Sequence, residues 1–543
     1  MAPRGSVAPT STSTLSLSDA CALATLAILL LGFFLHLPRH GDIWWMDASR
    51  HAMNGAFVLD FLRAMPFRHP VDFAYSYYVQ WPALTILFYP PLFYVSLALG
   101  YALFGVSESS AILVEIVWLY VLAAGCFRLS RHWLGTGGAL AVALTILAGP
   151  EVFYWGQQIM LDIPAYALVV WSAYHTVVYL QSHRKSALLW ATILAVLAVW
   201  TKYNAVCFLI IMAIALLWER GIGMFREKAT WQAIAVGLAL FIPVVVLFFS
   251  FGRYNLTQAY AMGSGFDRVR EFLVYARLLP GVLSWPVIVL SIVFVVAATV
   301  QPRYRIDRPS AVLLIAWVVV MYLFYSTIHI KEPRHILMIG YPMALVAVLV
   351  VDRSLRGWRW RGTFEVSAAA ALLLTTFLRV PIPYVSGMRA AATIVAKAAP
   401  HDTNVAVWCR YDGTFVFDMR AYGKRPDLGI VRLDKVLFRN VTVGFDRGYK
   451  SNHFDVDSLL GKMKALHVQY VVFQTGYMQD AAPVAVLAKL LATGAFVHVG
   501  SVKMAANYAF SPITTLQIYR LKEKLPPGRP NDKIQIGILG RSI

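Results

Sequence analysis

The sequence predicts a polytopic α-helical membrane protein that ends in a soluble α/β domain. Three observations predict it. Of the 543 residues, 59% are hydrophobic and only 14% are charged, more apolar side chain than a soluble domain carries. Apolar runs of about 17–22 residues, the length that crosses a bilayer as helix, recur along the first two thirds of the chain. After about residue 380 these runs give way to short β-branched and aromatic stretches that read as strands.

Twelve apolar runs are visible, near 20–37, 84–105, 110–127, 137–155, 163–180, 187–201, 203–218, 231–251, 280–300, 311–328, 336–351 and 362–379. The first resembles a signal peptide in length. It lacks a small-x-small cleavage site and reads as an uncleaved helix. Basic residues cluster in loops at Arg128/Arg131/His132, His183/Arg184/Lys185, Arg220/Arg226/Lys228, Arg303/Arg305/Arg308 and Arg353/Arg356/Arg359/Arg361, with Arg4 at the N-terminus. The positive-inside rule places these on the cytoplasmic side. The alternation holds only if 84–105 does not cross. Its Tyr89-Pro90-Pro91-Leu92-Phe93-Tyr94 then opens an interfacial helix, since Pro suits a helix start. About eleven crossings follow, with the N-terminus cytoplasmic and the C-terminal domain outside.

The net charge of +20 points to nucleic acid in a soluble protein. Here the cations sit in short loops, so topology explains them and no nucleic-acid partner is expected. Four cysteines without a CxxC argue against a disulfide framework or a cysteine metal site. The expected organisation is a Ser/Thr-rich disordered N-terminus (1–18), a transmembrane domain (19–380) with an external loop at 38–109, an external α/β domain (381–525), and a tail (526–543). In the soluble domain, Val405–Trp408, Tyr470–Phe473 and Leu516–Leu521 read as strands. Ser458–Leu466 and Ala485–Leu491 read as helices.

Two carboxylates fall on the predicted outer side. Asp47 lies in Trp44-Trp45-Met46-Asp47-Ala48-Ser49-Arg50-His51, just past the first helix, and Asp162 lies in Leu161-Asp162-Ile163-Pro164. Desolvation at a bilayer boundary raises a carboxyl pKa and suits it to act as a base. The plainer reading of each is a helix cap. Arg50, Lys202, Lys331 and Arg334 are external cations that suit a phosphate-bearing ligand. The plainer readings are snorkelling for Lys202 and a solvated pair with Glu332 for Lys331 and Arg334. The histidines show no HExxH motif, so no metal ligand is assigned. A divalent cation stays open, and no other cofactor is indicated.

In order along the chain, these elements resemble the GT-C polytopic glycosyltransferases, near the lipid A aminoarabinose transferases and the protein O-mannosyltransferases. The family's Asp-Glu-x-Arg-Tyr appears as Asp47-Ala48-Ser49-Arg50-His51, without the Glu or the Tyr. Its Lys-Pro-Pro-Leu-Phe-Tyr-Trp appears as Tyr89-Pro90-Pro91-Leu92-Phe93-Tyr94-Val95, without the Lys. Leu-Asp-x-Pro is Leu161-Asp162-Ile163-Pro164, Leu-Thr-Lys-Gly is Trp200-Thr201-Lys202-Tyr203, and Arg-Tyr-Leu-Leu-Pro is Arg334-His335-Ile336-Leu337-Met338.

The resemblance implies a glycosyltransferase of a multi-pass inner (plasma) membrane. It implies a sugar donor linked to polyprenyl phosphate and a lipid, glycan or protein acceptor on the outer face. It gives Asp47 the role of base and Asp162 a supporting role. The donor phosphate falls to Arg50, Lys331, Arg334 and Lys202. His51, Tyr89, Tyr94 and His335 become candidate substrate contacts, and inversion follows from single displacement. The alternative reading is a secondary transporter or flippase. Transporters place charges at the bilayer midplane and show inverted repeats; here the charges gather at the outer boundary and no repeat is visible.

Overall fold

A computed structural model of the chain describes residues 16–37, 42–86, 88–252, 265–440, 449–507, 514–526, 535–536 and 541–542. Most of the expected disordered N-terminus and of the expected tail lies outside these residues, although Leu17 and Ser18 are already helical.

Among the described residues, seven helices are long and apolar enough to cross a membrane. They are Leu17–His36, Glu108–Ser130, Asp162–Ser182, Tyr203–Arg226, Lys228–Gly252, Arg308–Thr327 and Pro333–Ser354. A pair bent by 113°, Val269–Leu283 and Trp285–Val300, makes an eighth if counted as one span. The other runs form shorter or more charged helices, among them Thr136–Leu147, Lys185–Thr201 and Arg361–Arg379. Small residues let them pack closely, as membrane helices do. At Gly137 an added Cβ would come within 2.8 Å of the Gly362 backbone.

Ion pairs sort the helix ends into two layers. At one end Arg131 pairs with Asp19 at 2.9 Å, Thr136 also donates to Asp19, and Arg361 meets Asp352 at 3.1 Å. At the other end Lys202 pairs with Asp162 at 2.6 Å. The first helix therefore starts in the layer where the helix Glu108–Ser130 finishes. The chain between them makes no net crossing. Leu92–Phe104 has 13 residues, about 20 Å of helix against the ~30 Å of a hydrocarbon core. This agrees with the reading of 84–105 as non-crossing.

The soluble domain is built on a five-stranded mixed sheet. The strands lie in the order Gly429–Arg432, Asn404–Trp408, Val468–Gln474, Thr515–Leu521 and Phe496–Lys503. The first three run parallel and the last two pair antiparallel. Every residue of Val468–Gln474 is buried, as a central strand covered on both faces requires. The expected strands and the helix Ala485–Leu491 fall within observed elements, and Ser458–Leu466 overruns the helix Val456–Ala465 by its cap residue. Gly429–Arg432 and Phe496–Lys503 were not anticipated, although alternation in Phe496-Val497-His498-Val499 was readable.

This domain docks onto the loop that follows the first helix. Buried Asp42 accepts the backbone N–H of Met388 at 2.7 Å, and Arg389 reaches Asp42 at 3.7 Å and Glu108 at 2.9 Å. Arg420 binds Asp60 through two nitrogens, and Tyr77 donates to the same carboxylate at 3.0 Å. Thr414 donates to the Ile43 carbonyl at 2.6 Å, and Arg432 donates to the Pro82 carbonyl at 3.0 Å. The loop carrying Asp47 is thus clamped between membrane helices and sheet.

The two layers predict sidedness. In a cysteine-free background, Arg68→Cys and Arg184→Cys should react with an impermeant maleimide from opposite sides of the membrane. Labelling of both from one side contradicts the layering.

Candidate active site

Asp47 occupies the first turn of the helix Met46–Ala64, and Asp162 is the first residue of its own helix. Neither side chain makes a capping hydrogen bond, so helix capping does not account for them. Their helices start in the same layer, and both carboxylates converge on one guanidinium. Arg334, from the short 3-10 turn Pro333–Ile339, reaches Asp47 with Nη2 at 3.6 Å and Asp162 with Nη1 at 4.0 Å. Its Nε donates to Glu332. The guanidinium also lies 4.9 Å from the ring centre of Trp155 and 5.8 Å from that of Trp45, within cation–π range.

The two carboxylates differ in surroundings. Asp162 is buried, and the Lys202 ammonium on its Oδ1 is buried with it. Lys202 therefore does not snorkel; it neutralises Asp162. The Asp47 side chain keeps 41% of its surface exposed, and Arg50 stands 3.9 Å away one helical turn later. Burial of its surroundings pushes the Asp47 carboxyl up, but Arg334 and Arg50 outweigh that and hold it below the ordinary carboxylate range. The expected upward shift at the bilayer boundary is thus reversed by the arginine. Asp47 is an anion at neutral pH and open to an incoming group.

His51 is buried, with Nδ1 3.1 Å from the Tyr94 hydroxyl and its ring edge-on to Tyr89. Burial lowers its pKa to about 4, so it serves as a neutral polar wall. His335 stacks on Tyr325 and faces the Tyr275 hydroxyl at 3.4 Å. Lys331 turns to other partners. Its Nζ donates to the carbonyls of Tyr325, Ser326 and Ile328 and pairs with Glu271 at 3.2 Å. It ties down the loop and leaves Arg334 and Arg50 as the cations beside Asp47. Glu151 accepts from Trp155 at 2.7 Å, and burial pushes its carboxyl up.

Trp155 was not singled out as a site residue, and Glu332 was read only as a solvated partner of Lys331 and Arg334. No motif marks Trp155, because packing alone brings its ring to Arg334. Among the described residues no group of three or more His, Cys, Asp or Glu is placed to hold a metal ion.

Residues 89–247 match the family model described as dolichyl-phosphate-mannose-protein mannosyltransferase. The matched segment runs from the Pro90-Pro91 element through Asp162 and Lys202. The crystal structure of ArnT from Cupriavidus metallidurans bound to undecaprenyl phosphate superposes with a TM-score of 0.58 at 15% identity, covering 91% of this chain and 99% of that one. The chain therefore shares its fold with this transferase structure. Two further solved structures share the fold. Arabinofuranosyltransferase AftD from Mycobacteria matches with a TM-score of 0.55 at 14% identity over 95% of this chain, which spans 40% of AftD. Oligosaccharyltransferase AglB from Archaeoglobus fulgidus, in complex with an inhibitory peptide and a dolichol-phosphate, matches with a TM-score of 0.51 at 12% identity, covering 92% and 76% of the two chains. No curated protein sequence matches this chain.

The buried Lys202–Asp162 pair predicts a coupled effect. Lys202→Met should leave a buried carboxylate uncompensated and cost about 3–5 kcal/mol, seen as a lower melting temperature in detergent. Adding Asp162→Asn should recover part of that loss. A double variant no more stable than Lys202→Met would show that the pair does not carry the effect.

Proposed function

We propose that this protein is a membrane glycosyltransferase that moves a sugar from a polyprenyl-phosphate-linked donor to a lipid, glycan or protein acceptor. Transfer takes place at the membrane face where Asp47 lies, on this reading the outer face of the plasma membrane. One observation carries the proposal: an ionised, solvent-accessible carboxylate stands beside a guanidinium at the membrane boundary of a GT-C fold. The undecaprenyl phosphate bound to ArnT and the dolichol-phosphate bound to AglB support a lipid-phosphate donor here.

In this reading the acceptor hydroxyl gives its proton to Asp47 while its oxygen forms a bond to the anomeric carbon. The bond from that carbon to the phosphate oxygen breaks, and the electron pair leaves with the polyprenyl phosphate. The leaving group is already a stable anion, so no general acid is required. Arg334 and Arg50 stabilise the charge growing on the phosphate. Lys202 keeps Asp162 ionised, and Asp162 in turn holds Arg334 in place. Single displacement inverts the anomeric centre. Neutral His51, with Tyr89 and Tyr94, borders the acceptor side.

Two measurements test this. The reconstituted protein should transfer sugar from a polyprenyl-phosphate donor, and Asp47→Asn should lower kcat by about 10²–10⁴-fold, the usual worth of a general base. Equal turnover in the variant would refute Asp47 as base. Vectorial solute flux without transfer would favour a transporter.

The pH dependence follows from the depressed Asp47 pKa. Asp47 is ionised above its lowered pKa and takes up a proton only as pH falls through it. Transfer should therefore persist below the ordinary carboxylate range. Arg334→Gln should move the acid limb of the residual activity to higher pH, as a pH profile of kcat would reveal. An unmoved limb would show that Arg334 does not set the base.

A further inference from the structure

Arg334 holds three carboxylates at unequal reach. Glu332 accepts directly from Nε, whereas Asp47 and Asp162 stand at ion-pair distances of 3.6 and 4.0 Å. Nε and Nη2 form the edge of a guanidinium that a phosphate binds with two parallel hydrogen bonds. On Arg334 this edge points to Glu332 and Asp47. Glu332 lies on the loop just before the arginine, with its side chain 32% exposed, while Asp162 is only 5% exposed and already paired with Lys202. Asp162 is therefore fixed, Asp47 is anchored on its helix, and Glu332 is the carboxylate free to move.

The charges agree. Asp47, Asp162 and Glu332 balance Arg50, Lys202 and Arg334, and His51 is neutral. With Glu332 in place the site carries no net charge to attract an anion. With Glu332 swung to solvent it carries one positive charge beside Asp47, where a departing phosphate needs it.

We propose that Glu332 is a resident stand-in for the donor's phosphate: it occupies the Nε edge of Arg334 and yields it when the phosphate arrives. This rests on the proposed use of a polyprenyl-phosphate donor. Glu332 keeps Arg334 extended between Trp45 and Trp155 before the donor binds. On product departure it competes with the polyprenyl phosphate for the same donors, which speeds release.

The sign of the effect is unusual, because removing a polar site residue should strengthen binding. Equilibrium binding of undecaprenyl phosphate to the full chain in detergent should be about tenfold tighter for Glu332→Gln, the worth of one competing charge-assisted hydrogen bond. Glu332→Ala should behave alike. KM for the sugar donor should fall in both, and kcat should fall as product release slows. Glu271→Gln, which removes a nearby negative charge from the Lys331 pair, should leave the affinity unchanged. Equal or weaker binding by both Glu332 variants would overturn the inference. So would equal tightening by Glu271→Gln, which would mark a general field effect. Binding by neither wild type nor variant overturns it as well, and sugar transfer by wild type, assayed separately, then shows whether the proposed function falls with it.

Discussion

The site depends on the Arg334 guanidinium. Three carboxylates from three parts of the chain meet on it, and two indole rings flank it. Gathering charges at a membrane boundary is costly unless each has a partner, because desolvation offsets much of the attraction. The arrangement therefore earns little stability. It makes chemical sense as a device that keeps Asp47 ionised and exposed while Asp162 stays buried and neutralised. Two acids of one residue type are set in different environments by what surrounds them.

The soluble domain contributes to this arrangement through the first loop. Asp42, Asp60 and the carbonyls of Ile43 and Pro82 each take a partner from the sheet domain. These contacts bracket the turn that carries Asp47. At Gly413 an added Cβ would come within 2.4 Å of the Ser49 hydroxyl, so the sheet domain touches the helix two residues beyond Asp47.

Much of this was legible in the residues. Hydropathy located the membrane helices, and cation placement marked 84–105 as non-crossing. The strands Asn404–Trp408, Val468–Gln474 and Thr515–Leu521 announced themselves by β-branched and aromatic runs. Gly429–Arg432 was harder, because a four-residue strand carries almost no periodic signal. Asp47, Asp162, Lys202 and Arg334 were recognisable as ionisable residues at the ends of apolar runs, where a charge needs a reason. Lys331 looked equivalent to Arg334, and only its carbonyl cage distinguishes the two.

By itself the sequence determined a membrane-spanning chain, the ends of apolar runs at which its acids and cations gather, and which residue types are present there. These follow from local quantities: the length of apolar runs, the sign of loop charge, the identity of single side chains. Tertiary structure alone decided the partners. It set Lys202 on Asp162, turned Lys331 to Glu271, and brought Asp47 and Asp162 to the guanidinium of Arg334. It also reversed the shift expected for Asp47. Desolvation can be anticipated from a residue's place along the chain. The opposing field comes from a guanidinium 287 positions later in sequence and exists only once the helices have packed.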